Sequence, residues 1–175
     1  KNIFILFSGV FLGIAIFTKI PAVTIIPVVA YLVFTNSNRN LKNVLLWILP
    51  VILIPMIWPA YSIYLGEFFS WIHGIYGQSH REGITLLSSL NDFLRIDPVM
   101  ALLGLAGIVY AALKRDFFIL LWAIPLLVFL SLTAGTSYYL LLPIFPAVCI
   151  GSASLIELSK NIPRIKIHQV LPFLI

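Results

Sequence analysis

Long apolar runs alternate with short polar segments along this chain, and the pattern predicts a bundle of membrane-spanning helices. Pro98 suits the first turn of one predicted span, and three closely spaced prolines are expected to kink another. The predicted fold is all-α: one domain over residues 1–175 that forms a polytopic integral membrane bundle of about six transmembrane helices. The candidate spans lie at residues 3–18, 22–34, 44–65, 98–113, 117–132 and 138–156.

Lys19 is the only charge in an otherwise apolar stretch at the start of the chain, between Asn2 and Thr35. One helix through this stretch would be about 48 Å long, well beyond the ~30 Å hydrocarbon core of a bilayer. We therefore predict two short passes that turn at Lys19 and Pro21. An ammonium at that depth is costly unless it reaches the interface or meets an anion. Both interpretations stay open: an interfacial anchor, or a cation that binds a phosphate or carboxylate.

The composition supports an integral membrane protein, because 61% of the residues are hydrophobic and 10% are charged, against about 25% charged in soluble domains. The net charge of +5 is spread over short loops, which indicates membrane topology rather than nucleic-acid binding. The single cysteine, Cys149, excludes an intrachain disulfide. Because the chain starts at Lys1 and stops within an apolar run, we expect an internal piece of a larger polytopic protein.

The distribution of cations predicts which loops face the cytoplasm. Six passes that start on the cytoplasmic side leave only Lys19, Arg81 and Arg95 on the other side. Since positive charge concentrates in cytoplasmic loops, residues 35–43, 114–116 and 157–166 are predicted to be cytoplasmic, and the loop 66–97 extracytoplasmic. The cations on the predicted cytoplasmic side are Lys1, Arg39, Lys42, Lys114, Arg115, Lys160, Arg164 and Lys166.

The loop 66–97 is predicted to be mostly polar and holds the main cluster of ionisable groups. His80, Arg81 and Glu82 combine a proton carrier, an anion-binding cation and a carboxylate, and a solvated loop is the competing interpretation. No metal site is predicted, because the spacing of His73 and His80 fits no zinc signature. Residues 85–96 have near-helical apolar spacing, which predicts a segment along the outer membrane face. The remaining ionisable residues are Glu67, Asp92, Arg95 and Asp97.

Two further patterns predict how the spans pack. Gly9 and Gly13 have the spacing that lets the backbones of membrane helices approach closely. Tyr138 and Tyr139 open the sixth span at the outer interface, where tyrosines usually form an aromatic belt. The prolines that follow them predict an irregular start of this helix, with backbone that lines a cavity or is buried in protein.

Three segments of this chain form an ordered set. The first, residues 8–21, reads Ser-Gly-Val-Phe-Leu-Gly-Ile-Ala-Ile-Phe-Thr-Lys-Ile-Pro. The second, residues 97–107, reads Asp-Pro-Val-Met-Ala-Leu-Leu-Gly-Leu-Ala-Gly and is followed by Lys114 and Arg115. The third, residues 137–146, reads Ser-Tyr-Tyr-Leu-Leu-Leu-Pro-Ile-Phe-Pro. In this order and spacing, the three segments resemble the membrane half of GT-C glycosyltransferases, within the superfamily of protein mannosyltransferases and lipid A aminoarabinose transferases. From the first segment to the third, the resemblance spans most of the chain.

The resemblance implies a polytopic enzyme that takes a sugar from a polyprenyl-phosphate carrier and transfers it to a lipid, glycan or protein acceptor on the extracytoplasmic face. Thr18 and Lys19 match a Thr-Lys pair of the family, which makes Lys19 a candidate to hold the lipid-linked phosphate. Tyr138 stands where the family commonly has arginine, so a second phosphate contact is lost. His80, Arg81, Tyr138 and Tyr139 are further candidates for binding the donor.

The catalytic residue is not assigned. In the family the acidic base lies in a first outer loop near the N-terminus, and no matching segment is found here; Glu67 and Asp92 are weak substitutes. No cofactor is evident, and a divalent metal stays an open question. The alternatives are a transporter, channel or scaffold segment, or another enzyme that uses polyprenyl lipids. The absence of charge at mid-span favours interfacial chemistry over translocation.

Overall fold

The structure, a computed structural model, describes residues 2–79, 85–133 and 138–160, and every regular element in these ranges is helical. The predicted all-α fold is therefore confirmed. The described ranges contain nine α-helices and two 3-10 segments, Ile20–Ile25 and Tyr138–Ile144. In chain order the helices are α1 Asn2–Thr18, α2 Ile26–Asn36, α3 Leu41–Leu53, α4 Ile57–Tyr64, α5 Phe68–Ser79, α6 Leu86–Ile96, α7 Pro98–Lys114, α8 Phe117–Leu132 and α9 Phe145–Lys160.

One continuous apolar stretch of helix, Leu41–Tyr64, is long and apolar enough to cross a membrane among the residues described. It comprises α3 and α4, which are separated by a turn around Pro55 because a proline cannot continue the α-helical hydrogen bonding. Pro50 lies inside α3. The other apolar helices have between 10 and 17 residues.

Helix ends follow the local sequence closely. Lys19 separates α1 from the first 3-10 segment, as predicted, and Pro98 occupies the first turn of α7. The turn between α7 and α8 is very short: Arg115 adopts a left-handed conformation (φ 57°), and the Asp116 N–H donates to the Ala111 carbonyl over 2.8 Å. The Asp116 carboxylate then accepts from the N–H of Phe118 over 3.0 Å, so one residue closes α7 and caps α8.

The predicted polar loop 66–97 is the element that the sequence interpretation got wrong. The chain forms α5 over Phe68–Ser79, where we expected irregular structure, because its apolar residues repeat at helical spacing. The predicted helical segment 85–96 is confirmed as α6, with Thr85 as its N-cap. α5 and α6 together occupy most of the segment 66–97, which is therefore largely helical. The apolar residues of α5 also make it only partly polar.

The core lies between α7, α8, α9 and the second 3-10 segment. α8 is apolar on all sides and buries one residue from nearly every turn, which is typical of a central helix. The cluster comprises Ala111, Ile119, Ala123, Leu126, Leu130, Leu141, Ile144, Ala147 and Val148.

Two helix pairs have the most extensive contacts, α1 with α3 and α7 with α9. Gly9 of α1 faces the Trp47 carbonyl of α3, and Gly13 faces Pro50 and Ile54, so the two helices run parallel. This confirms the close packing predicted from the glycine spacing. In the second pair the successive glycines of α7 face successive positions of α9, so this pair is parallel as well.

Candidate functional site

Lys19 lies at an abrupt change of backbone between two apolar helical segments. Its φ and ψ of −150° and 104° are extended, its N–H donates to the Ala15 carbonyl over 2.8 Å, and its carbonyl accepts from the Ala22 N–H over 3.0 Å. Its backbone is thus held by one hydrogen bond to the helix before it and one to the segment after it. The side chain is exposed, and no carboxylate in the described ranges pairs with it. The ammonium is therefore available to an external anion.

Aromatic contacts show which elements share an end of the bundle with Lys19. Phe17 stacks on Trp58 of α4 with 5.6 Å between ring centroids, so α4 leads into α5 near Lys19. Tyr31, in the middle of α2, lies 6.4 Å from Phe117, the first residue of α8, and α8 also packs against the first 3-10 segment. α8 therefore starts at the opposite end and finishes near Lys19. We call these the Lys19 end and the opposite end.

The Lys19 end carries α5 and α6, and Asp97 joins α6 to α7. The Asp97 N–H donates to the Phe93 carbonyl over 3.0 Å, and its carboxylate accepts from the Met100 N–H over 2.9 Å. Asp97 is thus occupied with helix capping. Glu67 is exposed just after α4, and Asp92 is half-buried on α6.

Of the five predicted donor-binding residues, Lys19 is the one whose side chain the structure describes. His80 and Arg81 lie outside the described residues. Tyr138 and Tyr139 begin the second 3-10 segment, and their side chains also lie outside the described part. That these five residues form one site therefore stays a prediction.

The predicted irregular start of the sixth span is confirmed by the second 3-10 segment. Leu141 and Ile144 are buried in the core, at 3% and 6% exposure. The Pro143 carbonyl accepts a hydrogen bond from the indole Nε1–H of Trp122 over 2.8 Å. A side chain of α8 thus satisfies backbone that a regular α-helix would have paired internally.

A small cavity of about 170 Å³ lies between α6, this 3-10 segment and the start of α9. Its lining is mainly apolar, with the Asp97 carboxylate as the charged group, and Phe93 packs edge-on against Phe145 at 5.3 Å. The cavity fits a few methylene or isoprenoid carbons better than a sugar phosphate. Its lining residues are Phe93, Ile96, Asp97, Leu141 and Phe145.

A second cavity, of about 380 Å³, lies at the opposite end and was not predicted from the sequence. The Lys114 ammonium lies 5.8 Å from the ring centroid of Tyr110, one helical turn away. The i, i+4 spacing of Tyr110 and Lys114 could have predicted their contact from the sequence. The cavity residues on α9, Ser154 and Glu157, could not have been predicted, because their position depends on tertiary packing. The cavity is lined by Tyr110, Ala111, Lys114, Asp116, Ile119, Ser154 and Glu157.

Within the described ranges, no group of three or more His, Cys, Asp or Glu side chains is placed to hold a metal ion. The His73 and His80 pair is not tested by this, because His80 lies outside those ranges. Comparison with profiles of protein families, with curated proteins and with solved structures found no match to this chain.

Proposed function

We propose that this chain is a multi-pass membrane part of a GT-C-like glycosyltransferase, which moves a sugar from a polyprenyl-phosphate carrier to an extracytoplasmic acceptor. The observation that carries the proposal is Lys19: an exposed cation, in a break between two apolar helical segments, without a partner in the described residues. A lipid-linked phosphate has the charge and the membrane depth to meet such an ammonium.

Helix lengths support several membrane passes. The first 3-10 segment and α2 together span about 28 Å, and the second 3-10 segment with α9 spans about 38 Å, at ~2.0 and ~1.5 Å per residue. Both lengths are comparable with a ~30 Å hydrocarbon core or exceed it. Large apolar side chains are also exposed on most of the apolar helices, including Phe4 (76%), Leu113 (79%) and Leu132 (76%). Lipid is the solvent that would accept such a surface.

The charges of the described residues support the predicted orientation. The Lys19 end holds Lys19 and Arg95, and the opposite end holds a larger set of cations. With cations favoured in cytoplasmic loops, the Lys19 end faces outward in this proposal. The cations of the opposite end are Arg39, Lys42, Lys114 and Arg115.

The chemistry that follows is interfacial. When the sugar leaves, negative charge develops on the carrier phosphate, and a positioned ammonium at Lys19 would stabilise it. The prenyl chain would lie along the apolar helices, and the 170 Å³ cavity beneath α6 offers an apolar recess near the same end. A carboxylate that takes the proton of the acceptor remains unassigned. Charged residues in the described apolar helices lie near helix ends, which disfavours a translocation path.

The test is donor binding by the full-length protein in vesicles. We expect Lys19→Met to weaken binding of a polyprenyl-phosphate sugar at least tenfold, and Lys19→Arg to retain most of it. Lys42→Met, which removes a cation at the opposite end, is the matched control and should bind as the parent does. Equal affinity of Lys19→Met and the parent would leave Lys19 as an interfacial anchor. If the parent itself binds no polyprenyl phosphate, the non-enzymatic alternatives are favoured.

A further inference from the structure

α5 is cleanly amphipathic although it lies in a segment predicted to be polar. At about 100° per residue, its six apolar side chains fall on an arc of roughly 160°. The opposite side is formed by Ser70, His73, Gly74, Gly77 and Gln78. Four of the six apolar side chains are aromatic, and the apolar set is Phe68, Phe69, Trp71, Ile72, Ile75 and Tyr76.

Among the residues that the structure describes, protein covers one edge of this apolar arc. Within the described residues, α4 is the element that α5 contacts appreciably. Phe68, Trp71 and Ile75 are half-buried and form the covered edge. The other edge carries the side chains of Phe69 and Ile72, which are exposed by 79% and 41%. We call these two residues the α5 stripe.

The end of α4 determines where α5 begins. Gly66 adopts a left-handed conformation (φ 74°), its N–H donates to the Ile63 carbonyl over 3.0 Å, and the Glu67 N–H donates to the Ser62 carbonyl over 2.9 Å. This pair of bonds stops a helix firmly and redirects the chain. α5 then starts at Phe68, within about 14 Å of chain after Tyr64.

The length of the preceding helix places that point at a membrane boundary. Leu41–Tyr64 has 24 residues, about 36 Å of helix, so its last turn reaches the edge of a ~30 Å hydrocarbon core. Tyr61 and Tyr64, exposed by 57% and 84%, lie in that turn, where aromatic side chains concentrate in membrane proteins. The exposed apolar surface of α4 and the α5 stripe therefore both lie near this edge of the hydrocarbon core.

We propose that α5 lies in the plane of the membrane at the Lys19 end and inserts the α5 stripe into the boundary between headgroups and acyl chains. The partner is the lipid surface itself, and the polar side with His73 faces water. The inference rests on α3 and α4 crossing the membrane; it does not depend on glycosyl transfer.

The experiment places one spin label at a time on either side of α5. Cys149→Ser, together with serine at any cysteine of the full-length protein outside this sequence, gives a cysteine-free background. In it Phe69→Cys, Ile72→Cys, Ser70→Cys and His73→Cys each provide one labelling position. The full-length protein is reconstituted into vesicles of three parts phosphatidylcholine to one part phosphatidylglycerol. Collision rates with oxygen, which concentrates in lipid, and with a water-soluble nickel chelate are then measured.

We expect the ratio of oxygen to nickel collisions to be several-fold higher at positions 69 and 72 than at positions 70 and 73. Equal ratios with strong nickel contact at all four positions would show a solvated helix and overturn the proposal. Low collision with both reagents at 69 and 72 would show that protein covers the stripe, whether a second copy or another chain, and would overturn it as well. Circular dichroism of each variant, compared with the parent, confirms that α5 is examined in the folded protein.

Discussion

The α1–α3 and α7–α9 pairs solve the same packing problem with different atoms. In both pairs parallel helices approach through glycines, but Gly9 faces a carbonyl and the ring of Pro50, whereas Gly107 faces the backbone of Gly151. Each pair also contains one buried polar side-chain atom without a hydrogen-bond partner in the described structure, Trp47 Nε1 on α3 and Ser152 Oγ on α9. Close backbone approach thus takes precedence over polar pairing in both.

The difference lies in how far each contact can relax. At Gly107 the three atoms nearest an added Cβ all belong to backbone, whereas at Gly9 one of the two nearest belongs to the ring of Pro50, and at Gly104 all belong to the side chain of Val148. Side chains can move by a few tenths of an ångström, but backbones in contact separate only if the whole helices move apart. The α7–α9 pair should therefore tolerate added volume at Gly107 least. A series of glycine-to-alanine variants tests this ranking with the same added methyl group each time.

Gly107→Ala should have the largest effect. Its Cβ would lie 2.5 Å from the Gly151 carbonyl carbon and 2.8 Å from the Ser152 nitrogen, both backbone atoms. We expect a loss of about 3 kcal/mol, measured by unfolding in detergent with circular dichroism as the signal. Gly74→Ala is the control, since the added methyl group meets nothing within 4 Å and alanine favours the helix. Equal stability of Gly107→Ala and the parent would contradict the rigid contact.

Gly9→Ala should have the next largest effect. The new methyl group would meet the Trp47 carbonyl oxygen and lie 2.8 Å from Cγ of Pro50. We expect about 2 kcal/mol in the same unfolding measurement, because one of the two closest atoms, the carbonyl oxygen, is backbone here, whereas both are backbone at Gly107. Gly77→Ala on α5 serves as the control. A loss larger than that of Gly107→Ala would reverse the ranking of the two pairs.

Gly104→Ala should destabilise the protein less, and a second substitution should restore part of the lost stability. Here the added Cβ meets side-chain atoms only, with Cγ1 of Val148 at 2.5 Å and Cγ2 at 3.1 Å. We expect a loss of about 1 kcal/mol, and the double variant with Val148→Ala should recover part of it relative to Val148→Ala alone. Strictly additive losses in the double-mutant cycle would show that the backbone, and not the valine, limits the approach.

Ser152→Ala should have the smallest effect and the opposite sign. The Ser152 hydroxyl is 6% exposed at the residue level and has no hydrogen-bond partner in the described structure. Removing it should stabilise the protein by about 1 kcal/mol, since no hydrogen bond is lost. Ser154→Ala, which removes a hydroxyl that donates to the Ile150 carbonyl over 3.0 Å, is the control and should not stabilise. Destabilisation by Ser152→Ala would mean that the hydroxyl has a partner after all.

The two pairs also show what a single sequence can predict. The spacing of Gly9 and Gly13 on one helix indicated a close contact, and the structure supplied the partner α3. Gly104 and Gly107 were quoted in the resemblance but not recognised as a packing surface, because their partners, Val148 and Gly151, are some 44 residues further along the chain. Hydropathy predicts the helices that face lipid or core, but not which helices become neighbours.

For the candidate site, too, the sequence predicted local features but not how the elements pack together. The break at Lys19 followed from the length of the apolar stretch, and the irregular segment at Tyr138 followed from the prolines. α5 was not predicted, because the segment was judged by its polar composition. Polar residues alternate with the aromatic ones there, and the helical spacing of the apolar residues was not considered. The environment of Lys19 depends on how α4, α8 and the 3-10 segments assemble, which no local pattern specifies.

The short connection at Arg115 and Asp116 has a consequence for biosynthesis. Asp116 closes α7 and caps α8, so the connection between the two helices is too short for them to enter the membrane separately. In the membrane arrangement proposed above, the two helices would leave the insertion machinery as one preformed hairpin. A long flexible insert at this turn should then delay or misdirect the integration of α8 while α7 integrates normally.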